Sequence, residues 1–300
     1  MIKKILTLGI LMGIFIHSSA TAQETGHRNN PLYLNGYRLQ PVLLQKGQYL
    51  VQLSANIPHF YKWYSPKTGK YERLASYQVI NEAYFSGMLT YGISNRLNIF
   101  MVIPVNDLHH YSPMGINKGI GLGDIKAGIN WNLLAGHQDA NNKYTAGITL
   151  GLPTGRHYNL KPGRLPTGTG SVSLRGNITG FHKSSNFNLL YSVYYTYLTN
   201  HNIYKTGNEG GGYLILQKPF NTTVGQFGIE TSAYTYYKSA TKKSGVTIPN
   251  TKNYGIDLGF GGWFNYQKNL SIRFNVPYSV YQNSSWLTKY QVMLQIDYLF

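Results

Sequence analysis

The chain has 300 residues and a formal net charge of +17, yet only 12% of its residues are charged, while Tyr supplies 27 and Gly 33. Cysteine is absent, which excludes disulfides, thiolate metal sites and cysteine nucleophiles. So few charges beside so many aromatics and glycines argue against a soluble enzyme and for short strands with interfacial aromatic rings.

Lys3 and Lys4 precede an apolar run from Ile5 to Ile16 and then Ala20-Thr21-Ala22, a small-x-small cleavage site. Residues 1–22 therefore read as a Sec signal peptide. The run is well short of the roughly twenty apolar residues that a spanning helix needs. Residues 23–46, polar and carrying Pro31 and Pro41, are expected to form a periplasmic lead-in, and 47–300 a single transmembrane unit.

From residue 47 onward apolar side chains recur with a period of two, the mark of strands with one greasy and one polar face. Twelve segments follow, near 47–56, 76–91, 96–104, 120–134, 143–153, 168–182, 186–198, 210–218, 222–238, 253–266, 269–281 and 287–300. Their connections alternate in length. Short ones fall at Gly92 to Asn95, Ala135 to Asn142, Lys183 to Ser185, Pro219 to Asn221 and Gln267 to Lys268. Long ones fall at Ile57 to Ala75, Val105 to Gly119, Thr154 to Thr167, Thr199 to Glu209 and Ser239 to Lys252. Bacterial barrels have an even strand number, short periplasmic turns and long extracellular loops. The expected fold is thus all-β, a transmembrane antiparallel up-and-down β-barrel of about twelve strands in the bacterial outer membrane.

Parity assigns the faces. In 120–134, Ile125, Ala127, Ile129, Trp131 and Leu133 suit lipid, while Asp124, Lys126, Asn130 and Asn132 point the other way. In 168–182 the outward row is Val172, Leu174 and Ile178, with Arg175 opposite; in 269–281 Leu270, Ile272 and Phe274 oppose Arg273. A cation at the bilayer midplane costs roughly 2–4 kcal/mol, so the polar row belongs inside. The lumen-lining candidates are Glu82, Asp124, Lys126, Arg175, Glu230, Asp257, Arg273 and Asp297. In the last segment Tyr290, Val292, Leu294, Ile296, Tyr298 and Phe300 form the greasy row. Tyr298 and the terminal Phe300 resemble the assembly signal of outer-membrane barrels, which makes the barrel assembly machinery an expected partner.

Few residues offer chemistry. Asp107, His109 and His110 are placed on one loop with His157 on the next, but adjacent histidines do not readily share a metal, and no further carboxylate or thiolate has ligand spacing. They are expected to be exposed loop histidines near lipopolysaccharide. A Ser-His hydrolase needs an oriented base within reach of its nucleophile, and neither His182, on an outward row, nor His201, on a loop, supplies one. Gly119-Ile-Gly121-Leu-Gly123 and Gly168-Thr-Gly170 lack the following helix of a phosphate loop and read as bends. No catalytic residue, metal or cofactor is expected.

Asn95-Arg96-Leu-Asn-Ile-Phe-Met-Val-Ile-Pro104, Gly119-Ile-Gly-Leu-Gly-Asp124-Ile-Lys126, Gly151-Leu-Pro-Thr-Gly155, Gly168-Thr-Gly-Ser171 and Val276-Pro277 resemble the outer-membrane family named for the meta pathway of phenol degradation. That resemblance runs from about Tyr91 to Phe300 and implies a barrel transporter, with no catalytic residues to carry over.

Eight strands leave an interior filled by side chains and sixteen an open channel, so twelve predict a narrow, partly occluded pore. Its mixed charges either lock the barrel through buried pairs or serve conduction. Tyr191, Tyr194, Tyr195 and Tyr197 form a tyrosine-rich wall suited to aromatic solutes or to an interfacial girdle. Excess positive charge is assigned to loops, at Lys62, Lys67, Lys70, Arg73, Arg156, Lys161, Arg164, Lys238, Lys242, Lys243 and Lys252, facing lipopolysaccharide phosphates rather than nucleic acid. The expectation is a channel for passive passage of small solutes, aromatic or apolar ones among them. A structural or adhesive barrel and an outer-membrane lipid hydrolase are the alternatives.

Overall fold

The computed structural model describes residues 44–65, 68–74, 79–112, 115–133, 142–156, 163–201, 204–205, 207–223, 225–247, 251–266, 269–284 and 286–300. The expected signal peptide, nearly all of the lead-in, Lys67, His157 and Lys161 lie outside the described residues. Alternating side chains make strands throughout: β1 Tyr49–Ser65, β2 Lys70–Arg73, β3 Val79–Ser94, β4 Leu97–Ser112, β5 Gly115–Leu122, β6 Lys126–Asn132, β7 Asn142–Gly151, β8 Ser173–Lys183, β9 Asn188–Leu198, β10 Asn200–His201, β11 Tyr204–Lys205, β12 Glu209–Asn221, β13 Gly225–Lys238, β14 Lys242–Lys243, β15 Val246–Thr247, β16 Asn253–Tyr266, β17 Leu270–Asn283 and β18 Trp286–Leu299.

Twelve of these strands form a closed antiparallel ring in the order β1, β3, β4, β6, β7, β8, β9, β12, β13, β16, β17, β18, with β18 returning to β1. The closing seam runs from Leu50 opposite Leu299 to Trp63 opposite Trp286. At its lower end Phe300 N donates to Tyr49 O at 2.9 Å. Closure leaves no free sheet edge, so backbone donors and acceptors are satisfied strand to strand, as hydrocarbon requires. β5 continues β6 upward along β4, and β2 forms a hairpin on β1. β10, β11, β14 and β15 build a small separate sheet from the loops.

The outer face is apolar and solvent-accessible. Met101, Ile129, Ile148, Leu174, Leu216 and Phe274 are all exposed there. Aromatics gather at the strand ends: Tyr49 lies 4.7 Å from Tyr91, Phe220 5.1 Å from Phe227, and Tyr298 4.6 Å from Phe300, ring centre to ring centre. A closed barrel with such a belt and girdle has the lipid-facing surface of an outer-membrane protein. The inner row is polar. Gln52, Thr90, Asn98, Asn130, Ser192, Gln217, Asn275 and Gln291 are buried among the charged groups described below.

Several sequence expectations are corrected, among them the loop expected from Ile57 to Ala75, since β1 runs on to Ser65 and β2 covers Lys70–Arg73. The stretch 105–112 is not loop: β4 continues to Ser112, so Asp107, His109 and His110 are strand residues, and both histidines are buried. The strand expected at 168–182 begins only at Ser173, because 163–172 folds inward. Of the tyrosine wall, Tyr195 and Tyr197 are exposed on the outer face and Tyr194 is turned inward toward Arg175.

Candidate functional site: the barrel interior

Residues 163–172, ahead of β8, fold into the barrel. Pairing places residues 163–165 against β5, with Leu165 N donating to Lys118 O at 3.0 Å. Leu165 packs with Tyr84 of β3 and Leu108 of β4 in a small apolar cluster. Farther along, Asn106 Nδ2 donates to Thr167 O at 2.6 Å and Thr167 Oγ1 donates to Leu122 O at 2.6 Å. Asp124 fixes the rest: its Oδ2 accepts from Thr169 N and Thr169 Oγ1, each at 2.6 Å, and its Oδ1 from Gly155 N at 3.1 Å. The approach is so close that a Cβ on Gly168 would lie 2.3 Å from Asp124 Oδ1. Gly170, at φ +68°, supplies the left-handed turn that returns the chain to β8.

Beside this segment sits a cationic group. Arg175 Nε donates to Thr196 Oγ1 at 2.7 Å, and the guanidinium carbon lies 4.3 Å from the centre of the Tyr194 ring. Glu209 lies between two cations, 3.9 Å from Arg175 Nη2 and 3.7 Å from Lys238 Nζ. Lys126 borders the same cavity as Arg175 and Glu209. All four side chains are buried.

Across the barrel the acids are held by close hydrogen bonds, one of them from an arginine. Glu230 accepts from Arg273 Nε at 2.9 Å, Gln217 Nε2 at 3.1 Å and Asn275 Nδ2 at 2.8 Å, a strand-bridging lock spanning β12, β13 and β17. Asp257 accepts from Ser279 Oγ at 2.6 Å and Gln291 Nε2 at 3.0 Å, and Gln291 accepts in turn from Asn56 at 3.1 Å. Asp297 holds Gln52 at 2.9 Å and Gln295 at 2.7 Å. Near the extracellular end the Tyr84 hydroxyl donates to Glu82, whose other oxygen is 3.5 Å from His110 Nε2.

The eight lumen candidates thus fall into separate neighbourhoods. Glu82, Asp124, Lys126, Arg175, Glu230, Asp257 and Arg273 are buried, and Asp297 is half-buried. Glu230 and Arg273 meet directly; Lys126, Arg175 and Asp124 share one cavity. Two members of the cationic group were missed. Sequence periodicity ends a loop at Glu209 and assigns Lys238 to a loop, whereas Lys238 is only 2% exposed. Parity was the available signal: Lys238 follows Glu230, Ser232, Tyr234 and Tyr236 on the inward row of β13.

Asp107, His109 and His110 do not converge. His110 faces inward toward Glu82, while His109 Nδ1 pairs with the Tyr111 hydroxyl at 2.9 Å and its Nε2 lies 3.9 Å from Asp107. His182 stands on the exposed face against Asn142 at 2.6 Å. On the extracellular rim Tyr71 donates to Ser284 O at 2.8 Å, and partial burial raises its phenol above the ordinary value.

The fold is similar to that of an outer-membrane channel from Pseudomonas putida F1. That match covers 89% of this chain and 99% of the other, at 11% identity and a TM-score of 0.69. The β domain of a Bordetella autotransporter (9% identity, 85% of this chain, 100% of that one, TM-score 0.49) and the NanC porin (9% identity, 83% and 98%, TM-score 0.48) are more distant. Neither a family model nor a curated protein matches the chain, so the resemblance to the phenol-pathway family gains no support there. At this identity the likeness establishes the fold. The protein is an outer-membrane β-barrel, located in the bacterial outer membrane.

Proposed function

We propose that the protein is an outer-membrane channel for the passive passage of small solutes. The observation that carries this reading is an inner wall of charged and amide side chains from end to end of a twelve-strand ring, where a purely structural barrel could be packed with apolar residues. The path is narrow, since Asp257, Asn275, Gln217 and Gln291 are fully buried against their neighbours. Tyr84, Tyr234, Tyr236 and Trp263 interrupt the polar wall with buried aromatic surface, which suits solutes with an apolar or aromatic body. Exposed Lys242 and Lys243 on the loop sheet, with Lys70 and Arg73 on the β2 hairpin, offer charge to lipopolysaccharide phosphates around the mouth.

Single-channel recording of the full chain in planar bilayers tests the reading. Discrete conductance steps are expected from protein that migrates as a folded, heat-modifiable band. Folded protein that never conducts would overturn it.

A further inference from the structure

On the outer face of β1 the apolar row ends at Ile57, and next above it His59 stacks on Tyr290 with ring centres 4.8 Å apart. Aromatic rings at that level mark the membrane interface. Just beyond them the pairing of β1 with β18 shifts twice, so that Phe60 lies opposite Thr288 and Lys62 opposite Leu287. Phe60 and Thr288 are buried on the inner side, which puts Leu287 and Lys62 on the outer one. On its other flank Lys62 is paired with Arg73 of β2. Residues directly opposite in an antiparallel ladder share a face, so two cations stand side by side on the outside of the barrel. Lys289, exposed and skipped by the β1–β18 register, is two residues from Leu287.

Like charges directly opposite one another destabilise a sheet. Among the described residues the ion pairs are formed by other side chains. The neighbouring acid, Glu72, is paired with Trp63 on the opposite face and accepts from Thr68 Oγ1 at 2.5 Å. Lys62 Nζ lies 5.4 Å from the centre of the Tyr61 ring, and Tyr64 meets Tyr71 edge-on at 5.5 Å. Nor can the β2 hairpin swing away to relieve the repulsion. Tyr71 donates to Ser284 O at 2.8 Å and accepts from Ser284 N at 3.3 Å, which ties the hairpin to the end of β17. Below the cations a groove of about 300 Å³ is edged by Ile57, His59, Asn81, Ala83, Tyr290 and Val292. The β1–β3 ladder is interrupted there, between Asn56 and His59, at Pro58, which has no N–H to give.

We propose that this patch is a fixed seat for lipopolysaccharide. Lys62 and Arg73 share one phosphate of its lipid anchor, Lys289 adds to their charge, and the groove below takes the upper part of an acyl chain. A phosphate set between the two cations replaces their repulsion with charge-assisted hydrogen bonds, and arginine offers it a bidentate fork. The seat lies on the outside of the barrel and is independent of conduction. It gives one defined place to an attraction that Lys242 and Lys243 offer only as exposed loop charge.

The test uses the full chain in detergent and titrates three lipids: deep-rough lipopolysaccharide, its dephosphorylated form, and phosphatidylglycerol, with bound lipid read by native mass spectrometry. The phosphorylated lipopolysaccharide is expected to bind at least tenfold more tightly than either comparison. Changing Lys62→Gln and Arg73→Gln together should cost roughly tenfold or more in its affinity, the loss of a charge-assisted hydrogen bond. Lys242→Gln with Lys243→Gln, which alters net charge equally, should leave that affinity at the wild-type value. Equal loss in the two double variants would show diffuse attraction, and equal binding of phosphatidylglycerol a generic anionic-lipid surface; either overturns the proposal. Should the Lys62 and Arg73 double variant fail to fold, Arg73→Gln alone, on the exposed hairpin, takes its place, and unchanged affinity there sinks the idea. None of these outcomes bears on whether the barrel conducts, so the seat and the channel stand or fall separately.

Discussion

Thr169 gives Asp124 both its backbone amide and its hydroxyl, each at 2.6 Å, so one carboxylate pins the inward-folded segment to the wall of β5 and β6. Asp124→Asn removes the charge from these bonds, each worth roughly 1.5–3 kcal/mol when charge-assisted. The variant should fold, conduct more than wild type and admit trypsin at Arg164. Gly168→Ala, which drives a methyl into the same carboxylate, should act in the same direction. Wild-type conductance and protease resistance in both would show that the segment does not narrow the path.

The two interior arginines should part company. Arg273 neutralises Glu230 at 2.9 Å, and Arg273→Gln leaves that acid buried beside amides only, at a cost of roughly 3–5 kcal/mol. Arg175→Gln leaves Glu209 its contact with Lys238, so the stability loss should be smaller. Unfolding temperatures in detergent, read beside reversal potentials, check this: a large drop for Arg273→Gln, and a shift toward cations for Arg175→Gln.

Glu209→Gln should shift selectivity the other way. It removes the one acid that sits between Arg175 and Lys238, so the reversal potential in a salt gradient should move toward anions. A shift toward cations would mean that Glu209 does not act on the path.

Phe300→Asp should lower the yield of assembled barrel while sparing the unfolding temperature of what does assemble. Phe300 is exposed, touching Tyr298 at 4.6 Å, and little interior packing depends on it. His110→Ala is the contrast: it strips a buried partner from Glu82 and should cost about 1–3 kcal/mol of stability at normal yield. Quantifying folded protein in outer-membrane fractions, then melting it, separates the two.

Much of the ring was legible because a strand in lipid must alternate, and each of the twelve segments meets one strand of the ring. Legibility failed where the outer face leaves the hydrocarbon. Above Ile103 the outward row of β4 runs through Val105 to Asp107 and His109, so the apolar signal stops although the strand does not. Lys238 escapes for a related reason: a lysine next to a loop reads as solvated, although the inward parity of β13 and the cross-strand neighbour Glu209 place it inside. The path of 163–172 rests on Asp124 and Asn106, acids and amides some 45 to 61 positions away, which no local periodicity encodes.

The seam between β1 and β18 sets an order of events. It joins Leu50 to Leu299, whereas most other pairings in the ring link strands adjacent in sequence. Loop-closure entropy and contact order place such a pairing last. Until then β1 and its partner edge stand open, the state most prone to pairing with another chain. Two register shifts interrupt β1 between His59 and Lys62, while pairing from Leu50 to His59 is unbroken. The ring should therefore zip shut from its periplasmic end, and the extracellular half of the seam is where a finished barrel would first come apart.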